Sequence, residues 1–372
     1  METEAETRRT WAEISLDNIA HNMHAIRAAL PAGTKFLGVV KADAYGHGAI
    51  PVARRLETEG ADYLAVACLD EALALRSAGI QAPVLILGYT PPECVPELIA
   101  RRVTQALGSA ADAAAYAAAA RACGGTLRVH IKMDTGMSRL GFSWEDAADI
   151  AAACRLPELE PEGIFTHFAM SDLPGDAAAK SYTEMQFARF TGTIAALERA
   201  GVRFRIRHCA NSGAVVNYAE MTALDMARPG ILLYGYGDSS GRLGLRPCMR
   251  LMSRVCAVHQ YAAGTRVSYG GTFTTSRETR MGVVPAGYAD GLHRCISNRC
   301  AFAVPGGMAP QRGRICMDMC MIDLTDLPEA GLGSTVEIFG ETAGLDAMAE
   351  AAGTITYELL CSVSRRVPRV YR

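Results

Sequence analysis

The sequence contains very little lysine. Of its 37 basic side chains only four are lysines, Lys35, Lys41, Lys132 and Lys180, and the other 33 are arginines. Because lysine is ordinarily among the commoner residues, the composition indicates that arginine has replaced it wherever only a positive charge is needed. The four remaining lysines are then enriched for sites that require an amine. The alternative, that four scattered lysines carry no information, is equally compatible with the composition alone.

The chain also lacks a charge excess and any long apolar segment. Its 37 basic and 39 acidic residues give a formal charge of −2, whereas nucleic-acid binders normally carry a basic excess. No apolar run approaches the ~18–20 residues of a membrane span, and the N-terminus, METEAETRRTWAEISL, has no apolar signal core. We therefore expect a cytoplasmic protein that binds neither membrane nor nucleic acid. Half of the 372 residues are hydrophobic, which is enough for a sizeable core.

The twelve cysteines include no Cys-x-x-Cys pair. The gaps between Cys295 and Cys300 and between Cys316 and Cys320 fall within the range of zinc sites, but they differ from each other and no histidine follows at ligand spacing. Without a secretion signal, a disulfide framework is not expected. The sequence therefore predicts no metal site, and most of these cysteines are expected to be small buried apolar residues.

Short apolar runs alternate with helical patterns over the first two-thirds of the chain. Strands are predicted at 35–41, 63–68, 84–88, 104–108, 127–133, 163–168, 204–210 and 230–235. Strands that alternate with helices indicate parallel βαβ units, and eight such units fit a (β/α)₈ barrel of ~250 residues. Ser15 is predicted to cap the first helix, and the Ala-rich stretch 110–122 is predicted to be a plain helix.

The composition changes near Gly235, where the turn-rich segment GYGDSSGRLGLRP precedes several strand-like stretches. The predicted fold class is α/β. An N-terminal (β/α)₈ TIM barrel spans residues 1–240, with a short extension at 1–11, and a mainly β domain follows over 241–372.

Polar residues concentrate at the predicted strand ends, where a barrel of this kind builds its active site. They are Lys41, Tyr45 and His47 after the first strand, Lys132, Asp134 and Arg139 after the fifth, His167 after the sixth, His208, Asn211 and Ser212 after the seventh, and Arg228 and Tyr234 around the eighth. Two of the four lysines belong to this set, which favours an active site over chance.

Lys41 emerges from an apolar strand, where partial desolvation favours the neutral amine. A neutral amine can form a Schiff base with the carbonyl of pyridoxal 5′-phosphate (PLP), which arginine cannot do because it stays protonated. Residues 211–213 and 229–231 offer backbone N–H groups for the phosphate, after the seventh strand and around the eighth. The alternative for Lys41 is an ion pair at the barrel rim.

Nine motifs then identify a family. They are, in chain order, VVKADAYGHG, KMDTGMSRLGF, THF, HCANS, RPGILLYG, VSYGGTF, GYADG, GRICMDMCMID and TYELLCSVSRRVPRVY. Together they resemble alanine racemase, the PLP-dependent alanine/serine racemase family of fold type III, over nearly the whole chain. The resemblance implies an isomerase that uses PLP, supplies D-alanine for peptidoglycan and works as a homodimer with composite active sites.

The resemblance also implies the catalytic residues. Lys41 would hold PLP and act as the base on one face of the substrate, and Tyr269 of the partner subunit would act on the other face. His167 would contact that tyrosine, which needs cationic or hydrogen-bonding help to act as a base. Arg228 would contact His167 and the pyridine nitrogen of PLP. Because arginine does not readily give up a proton, we expect this contact to disfavour transamination.

Binding positions follow from the same resemblance. Those implied for the cofactor phosphate are Tyr45, Ser212, Gly230, Ile231 and Tyr357. Those implied for the substrate are Arg139, the backbone of Met317, Asp318 and, near the entrance, Tyr288. Lys132 matches a lysine that is carbamylated in some members, where the new carboxylate orients Arg139. The alternative is an unmodified lysine beside a chloride or a carboxylate.

Two other classes of PLP protein are compatible with a barrel of this type. A non-catalytic PLP carrier lacks the second domain and its tyrosine, so Tyr269 argues against it. An amino-acid decarboxylase would bring a Cys-Asp pair and a glycine-rich phosphate loop, for which GGT at 270–272 is a poor substitute. Tyr357 stands where some serine-racemising relatives carry a smaller residue, which favours alanine, although a hydroxyl is weakly discriminated and some serine turnover is expected.

Overall fold

The computed structural model describes residues 8–372. Residues 1–7, which include most of the predicted extension, lie outside the described residues. The chain divides into two compact units. The first comprises residues 19–44 and 49–246, and the second comprises residues up to 18, residues 45–48 and residues 247–372. Across residues 8–372, no helix is long and apolar enough to cross a membrane.

Twenty strands are described within residues 8–372. In chain order they are β1 (Thr10–Ile14), β2 (Lys35–Val39), β3 (Tyr63–Val66), β4 (Val84–Ile86), β5 (Val103–Leu107), β6 (Leu127–Asp134), β7 (Phe142–Ser143), β8 (Leu159–Phe165), β9 (Ile206–His208), β10 (Met226–Ala227), β11 (Met249–Arg254), β12 (Ala257–Tyr261), β13 (Arg266–Val267), β14 (Phe273–Thr274), β15 (Thr279–Val284), β16 (Ala301–Val304), β17 (Gly307–Arg312), β18 (Cys320–Asp323), β19 (Thr335–Phe339) and β20 (Arg369–Tyr371).

The helices of the same range are α1 (Leu16–Ala28), α2 (Lys41–Tyr45), α3 (Ala49–Thr58), α4 (Leu69–Ser77), α5 (Val95–Ala100), α6 (Ala110–Ala122), α7 (Ala147–Ala153), α8 (Ala177–Arg199), α9 (Ser212–Asn217), α10 (Ala219–Thr222), α11 (Leu345–Ala352) and α12 (Thr356–Ser362). Short 3₁₀ helices lie at Pro92–Cys94, Ile231–Tyr234, Tyr269–Gly271, Tyr288–Asp290 and Arg294–Ile296. The predicted cap of the first helix is confirmed, because Ser15 Oγ accepts from the N–H of Asn18 at 3.1 Å. The Ala-rich stretch is helix α6, as predicted.

Eight strands of the first unit form a parallel sheet in the order β10-β2-β3-β4-β5-β6-β8-β9, and short β7 pairs with β6. Between the end strands, the backbone N–H of Asp225 donates to the carbonyl of Arg207 at 3.0 Å, and that of Arg228 donates to Ala210 at 2.9 Å. These bonds bring the sheet ends together into a nearly closed barrel. The predicted (β/α)₈ fold is therefore confirmed, and the apolar strand sequences reflect burial on both faces.

The predicted eighth strand is wrong. The segment 230–235 contains a 3₁₀ helix at Ile231–Tyr234 that ends at the left-handed Gly235 (φ 94°), and the eighth strand is the short β10. All four residues of this helix are buried, with exposed fractions of at most 1%. A fully buried helical turn has the same continuous apolar sequence as a buried strand, so the run alone does not distinguish them. Arg228 consequently follows the last strand.

In the second unit nine strands form a sheet in the order β12-β15-β18-β17-β16-β19-β11-β1-β20, and β13 and β14 form a separate ribbon. Strand β1 runs antiparallel to β11 and parallel to β20. Trp11, Met252 and Val370 from these three strands pack together. The predicted mainly β character of the C-terminal part is therefore confirmed.

The predicted domain limits, 1–240 and 241–372, differ from the two compact units in three segments: residues up to 18 and residues 45–48 belong to the second unit, and residues 241–246 belong to the first. Residues 10–14 pair with β11 and β20. These two placements in the second unit depend on partners more than 200 residues away, which local sequence patterns do not reveal. The hairpin of β16 and β17 is also absent from the prediction, although Pro305-Gly306 between two apolar runs is a turn signal.

Candidate active site

Lys41 follows strand β2 and begins α2, which is a single left-handed turn. The φ angles of Ala42, Asp43 and Ala44 are 52°, 53° and 54°, and that of Tyr45 is 53°. A left-handed conformation costs roughly 1–2 kcal/mol per residue when a Cβ is present. The turn at the attachment point of Lys41 therefore needs support from its surroundings.

Two carboxylates provide that support within the first unit. Glu71, in the first turn of α4, accepts from the backbone N–H of Ala42 and of Ala67 with a different oxygen each, both at 2.7 Å. Asp43 Oδ1 accepts from the N–H of Ala49, also at 2.7 Å. Glu71 is absent from the sequence prediction, and the available signal was an acidic residue at a helix start after the neighbouring barrel strand.

Arg228 lies buried directly after β10. Its Nη2 donates to the carbonyl of Thr166 at 2.7 Å and lies 3.5 Å from Nδ1 of His167, and its Nη1 lies 3.0 Å from Nδ1 of His208. Burial lowers the pKa of Arg228 to about 10, so the guanidinium remains protonated at neutral pH. It presents only donors to its surroundings.

Four basic side chains act on His167. Burial lowers the pKa of this histidine well below its ordinary value, and the charges of Arg228, Lys132, Arg139 and Lys41 lower it further. These basic residues come from the ends of three barrel strands, β2, β6 and β10, so the predicted concentration of polar residues at the strand ends corresponds to one electrostatic site. His167 is neutral at pH 7.

Lys132 is buried at the end of β6. Its Nζ donates to the carbonyl of Met133 at 2.9 Å and lies 5.3 Å from the ring centre of Phe165. Burial and the charge of Arg228 lower the pKa of Lys132 to about 7, although the carboxylate of Asp134 opposes the shift. A large fraction of this side chain is therefore a neutral amine at neutral pH.

The carboxylate of Asp134 shapes the loop that carries Arg139. It accepts from the backbone N–H groups of Gly136, Ser138 and Arg139 at 2.8, 3.1 and 3.0 Å. Burial alone would raise the pKa of Asp134, but these three bonds and Lys132 lower it. The Asp134 carboxylate therefore fixes the backbone of this loop, while the Arg139 side chain stays exposed and available to a ligand.

The phosphate positions predicted in the first unit lie at two helix starts. Ser212 begins α9, and its Oγ accepts from the N–H of Gly230 at 2.9 Å, immediately before the 3₁₀ helix that Ile231 begins. Asn211 caps α9 by accepting from the N–H of Ala214 at 3.1 Å. Backbone N–H groups at helix starts attract anions, so this arrangement suits a phosphate.

Two further predicted phosphate residues meet within the second unit. The rings of Tyr45 and Tyr357 lie 5.8 Å apart between centroids and are tilted by 51°. Burial raises the pKa of Tyr45 above its ordinary value, and the charge of Tyr357 adds to the effect. Tyr45 is therefore a neutral phenol that can donate a hydrogen bond.

Tyr269 lies at the tip of the ribbon formed by β13 and β14, and 69% of it is exposed. Its neighbours Ser268 and Gly270 have φ angles of 63° and 72°, which make the tip sharp. Ser268 Oγ donates to the carbonyl of Arg314 at 2.6 Å and anchors the tip. The phenol is therefore presented outward from a fixed backbone.

Tyr269, Met317 and Asp318 line one groove of the second unit. Asp318 pairs with Arg366 at 2.8 Å. Tyr288 is bonded beside this segment, because its N–H donates to the carbonyl of residue 316 at 3.0 Å. Met317 and Asp318 therefore share one groove with the predicted second base, and Tyr288 is bonded to the adjoining residue Cys316.

Comparison with known proteins gives the family of the chain. The alanine racemase N-terminal domain family matches residues 14–238, and the alanine racemase C-terminal domain family matches residues 248–371. The chain is 46% identical over 369 residues to an alanine racemase of Desulfovibrio desulfuricans, covering 98% of both proteins. It is 44% identical over 374 residues to alanine racemase 1 of Clostridium acetobutylicum, covering 98% of this chain and 95% of that protein.

Solved structures agree as well. The alanine racemase of Clostridium difficile 630 superposes with a TM-score of 0.92 at 39% identity, covering 98% of this chain and 96% of that one. The enzyme of Bacillus anthracis with bound L-Ala-P gives a TM-score of 0.89 at 34% identity, covering 98% and 95%. The predicted resemblance is confirmed: the chain belongs to the alanine racemase family, which consists of PLP-dependent isomerases.

Proposed function

We propose that this protein interconverts L-alanine and D-alanine with two proton-transferring residues, Lys41 on one face of the substrate and Tyr269 of the partner subunit on the other. The observation that carries the proposal is the group of basic side chains at the barrel strand ends: buried Arg228 lies 3.5 Å from Nδ1 of His167, and Lys132, Arg139 and Lys41 also lower the pKa of that histidine. Such a cationic mouth attracts both a phosphate and a substrate carboxylate.

The residues at the mouth fit PLP. Ser212, Gly230 and Ile231 bring the N–H groups of two helix starts together for a phosphate. In the proposal Lys41 supplies the amine for the carbonyl, and Arg228 supplies a donor for the ring nitrogen. When bound, PLP delocalises the negative charge that develops at the substrate Cα.

Inversion at Cα requires a proton to leave one face and another to arrive on the opposite face. We assign these transfers to Nζ of Lys41 and Oη of Tyr269, and the exposure of Tyr269 on its ribbon supports a site that another subunit completes. His167, kept neutral by burial and the surrounding cations, is available to hydrogen-bond that phenol. Arg228, fixed by Thr166, would donate a hydrogen bond to the ring nitrogen without transferring its proton, which favours return of a proton to Cα over transamination.

We propose that the substrate carboxylate is bound by Arg139 and the backbone of Met317, with Asp318 and Tyr288 beside the substrate. We further propose that Lys132 is carbamylated and that its new carboxylate orients Arg139. A pKa of about 7 supports this, because carbamate formation requires the neutral amine. An unmodified lysine beside a chloride or a carboxylate is the alternative, and electron density at the side chain decides between them.

The proposed biological unit is a cytoplasmic homodimer with composite active sites that supplies D-alanine for peptidoglycan. Some racemisation of serine is part of the proposal. Tyr357 lies against Tyr45, and replacing Tyr357 by a smaller residue is expected to open the pocket.

Racemisation in D₂O tests the two-base proposal. The purified enzyme with PLP is given L-alanine, and D-alanine formed at early times is analysed for deuterium at Cα. We expect the product to carry solvent deuterium, because the proton that returns comes from a different residue. Product that retains the substrate hydrogen would contradict two bases. The variants Lys41→Ala and Tyr269→Phe are each expected to abolish interconversion, and release of CO₂ would indicate a decarboxylase instead.

A further inference from the structure

A row of buried polar side chains leads from Arg228 into the barrel interior. Nη1 of Arg228 lies 3.0 Å from Nδ1 of His208, Nε2 of His208 lies 2.8 Å from Nδ1 of His130, and Nε2 of His130 lies 3.5 Å from Oε2 of Glu162. At most 5% of any of these residues is exposed. We call these four residues the barrel network.

The chemistry of the two ends of the barrel network fixes which nitrogen donates and which accepts in each contact, so that donation runs from Arg228 toward Glu162. Arginine can only donate, so Nδ1 of His208 accepts, and its Nε2 carries the proton and donates to His130. Nε2 of His130 then carries the second proton and faces Glu162, a carboxylate that can only accept, across an electrostatic contact of 3.5 Å that is longer than a normal hydrogen bond. Burial lowers the pKa of both histidines, so each neutral ring holds one proton. One pair of tautomers satisfies every contact.

Glu162 is held ionised at the inner end. The hydroxyl of Tyr63 donates to Oε2 at 2.6 Å, Arg205 pairs with Oε1, and Nε of Arg128 lies 3.7 Å from Oε2. Burial alone would raise the pKa of Glu162, but His130, Tyr63 and Arg128 together hold it at about 2. The barrel network therefore joins a permanent cation at the mouth to a permanent anion below it.

We propose that His130 and Glu162 are positioning residues for Arg228: they hold His208 in the tautomer that accepts from the guanidinium and thereby fix the guanidinium at the barrel mouth. The inference rests on the proposed role of Arg228 beside the PLP ring nitrogen. Phe165 stacks on His208 at 4.8 Å between centroids with an interplanar angle of 10°, which restricts the ring further. Partners that orient metal-binding histidines typically contribute ~10–100-fold to affinity or activity, and we expect an effect of similar size for this arginine.

The tautomers are measurable directly. The eight histidines of the chain are labelled with ¹⁵N, and the ring nitrogens of the PLP-free protein are recorded at pH 7 and assigned by substitution. We expect His130 and His208 to be neutral, with the proton on Nε2 and none on Nδ1. A proton on Nδ1 of either ring, or a charged ring, overturns the proposed direction of the barrel network.

The effect on Arg228 is tested with His130→Phe, which keeps a ring but removes both nitrogens. We expect kcat/KM for alanine to fall about tenfold or more, with weaker PLP binding and a changed absorption spectrum of the bound cofactor. Glu162→Met leaves His130 without its acceptor, and a second His130 tautomer is expected in the ¹⁵N spectrum. Glu162→Gln keeps an oxygen there and should restore the single tautomer and most of kcat/KM.

Gln105→Leu is the matched control, because it removes another buried polar side chain of the barrel wall, one that bonds Thr90 and Gly88. If His130→Phe and Glu162→Met change kcat/KM no more than Gln105→Leu, the two residues are only structural and the inference is overturned. Arg228→Lys separates the two proposals. If Arg228→Lys leaves kcat/KM and PLP binding unchanged, the proposed role of Arg228 fails. The tautomers of His130 and His208 are measured independently of that role.

Discussion

Replacing Glu71 by alanine removes the acceptor for the N–H of Ala42 in the left-handed turn after Lys41, and also the acceptor for the N–H of Ala67. Hydrogen bonds to a charged acceptor contribute ~1.5–3 kcal/mol each when buried, and the partial exposure of Glu71 reduces this to about 2 kcal/mol for the pair. Since the left-handed conformation itself costs roughly 1–2 kcal/mol per residue, we expect the freed turn to relax and to misplace Lys41. A displacement of about 1 Å at a reacting group can cost ~10²-fold in rate.

The assay combines urea unfolding with racemisation followed by circular dichroism. For Glu71→Ala we expect the free energy of unfolding to fall by about 2 kcal/mol and kcat/KM to fall at least tenfold. Glu71→Gln, which keeps one oxygen acceptor, should lose about half as much stability. Asp70→Ala, in the same helix turn, is the control. Equal behaviour of Glu71→Ala and Asp70→Ala in both measurements would refute the idea that the carboxylate holds the turn.

Three other perturbations follow from the site. Arg228→Glu should raise transamination, seen as pyruvate formed from alanine, and unchanged pyruvate would count against the role given to the arginine. Between pH 7 and 10.5 the unfolded chain holds a proton that folded Lys132 has released, so in CO₂-free buffer the free energy of unfolding should rise with pH. The variant Lys132→Met should show a smaller rise. If urea titrations give the variant the same slope as the wild type, the lowered pKa of Lys132 is contradicted. Tyr357→Ala should raise the serine-to-alanine ratio of kcat/KM by about tenfold, with an unchanged ratio opposing a size limit.

The sequence predicts the barrel well because its strands are apolar runs separated by helical patterns at regular spacing. Seven of the eight strands lie where the pattern places them. The eighth fails because β10 has only two residues, whereas the adjacent buried 3₁₀ helix carries the stronger apolar signal. Strand β1 is missed because its ladder forms with β11 and β20, from the far end of the chain.

Some residues of the site can likewise be predicted from the sequence, and others cannot. Residues at strand ends, such as Lys41 and His167, are visible because their position alone places them at the barrel mouth. Glu71 and Glu162 are not, because Glu71 acts through a hydrogen bond, and Glu162 through an electrostatic contact, to residues about 30 positions away in the sequence. His130 does have a sequence signal, because it lies in the middle of the apolar strand LRVHIKM, where a polar side chain requires a buried partner.

Subunit mixing tests the composite two-base site most directly. Lys41→Ala and Tyr269→Phe are each expected to be inactive alone, because each inactivates both sites of its own dimer. When the two proteins are dissociated and reassociated, half of the dimers are mixed, and each mixed dimer contains one site with both native residues. The account predicts recovery of up to about one quarter of wild-type racemisation. No recovery, with mixed dimers demonstrated by differential tags, would contradict a site that takes Lys41 and Tyr269 from different subunits.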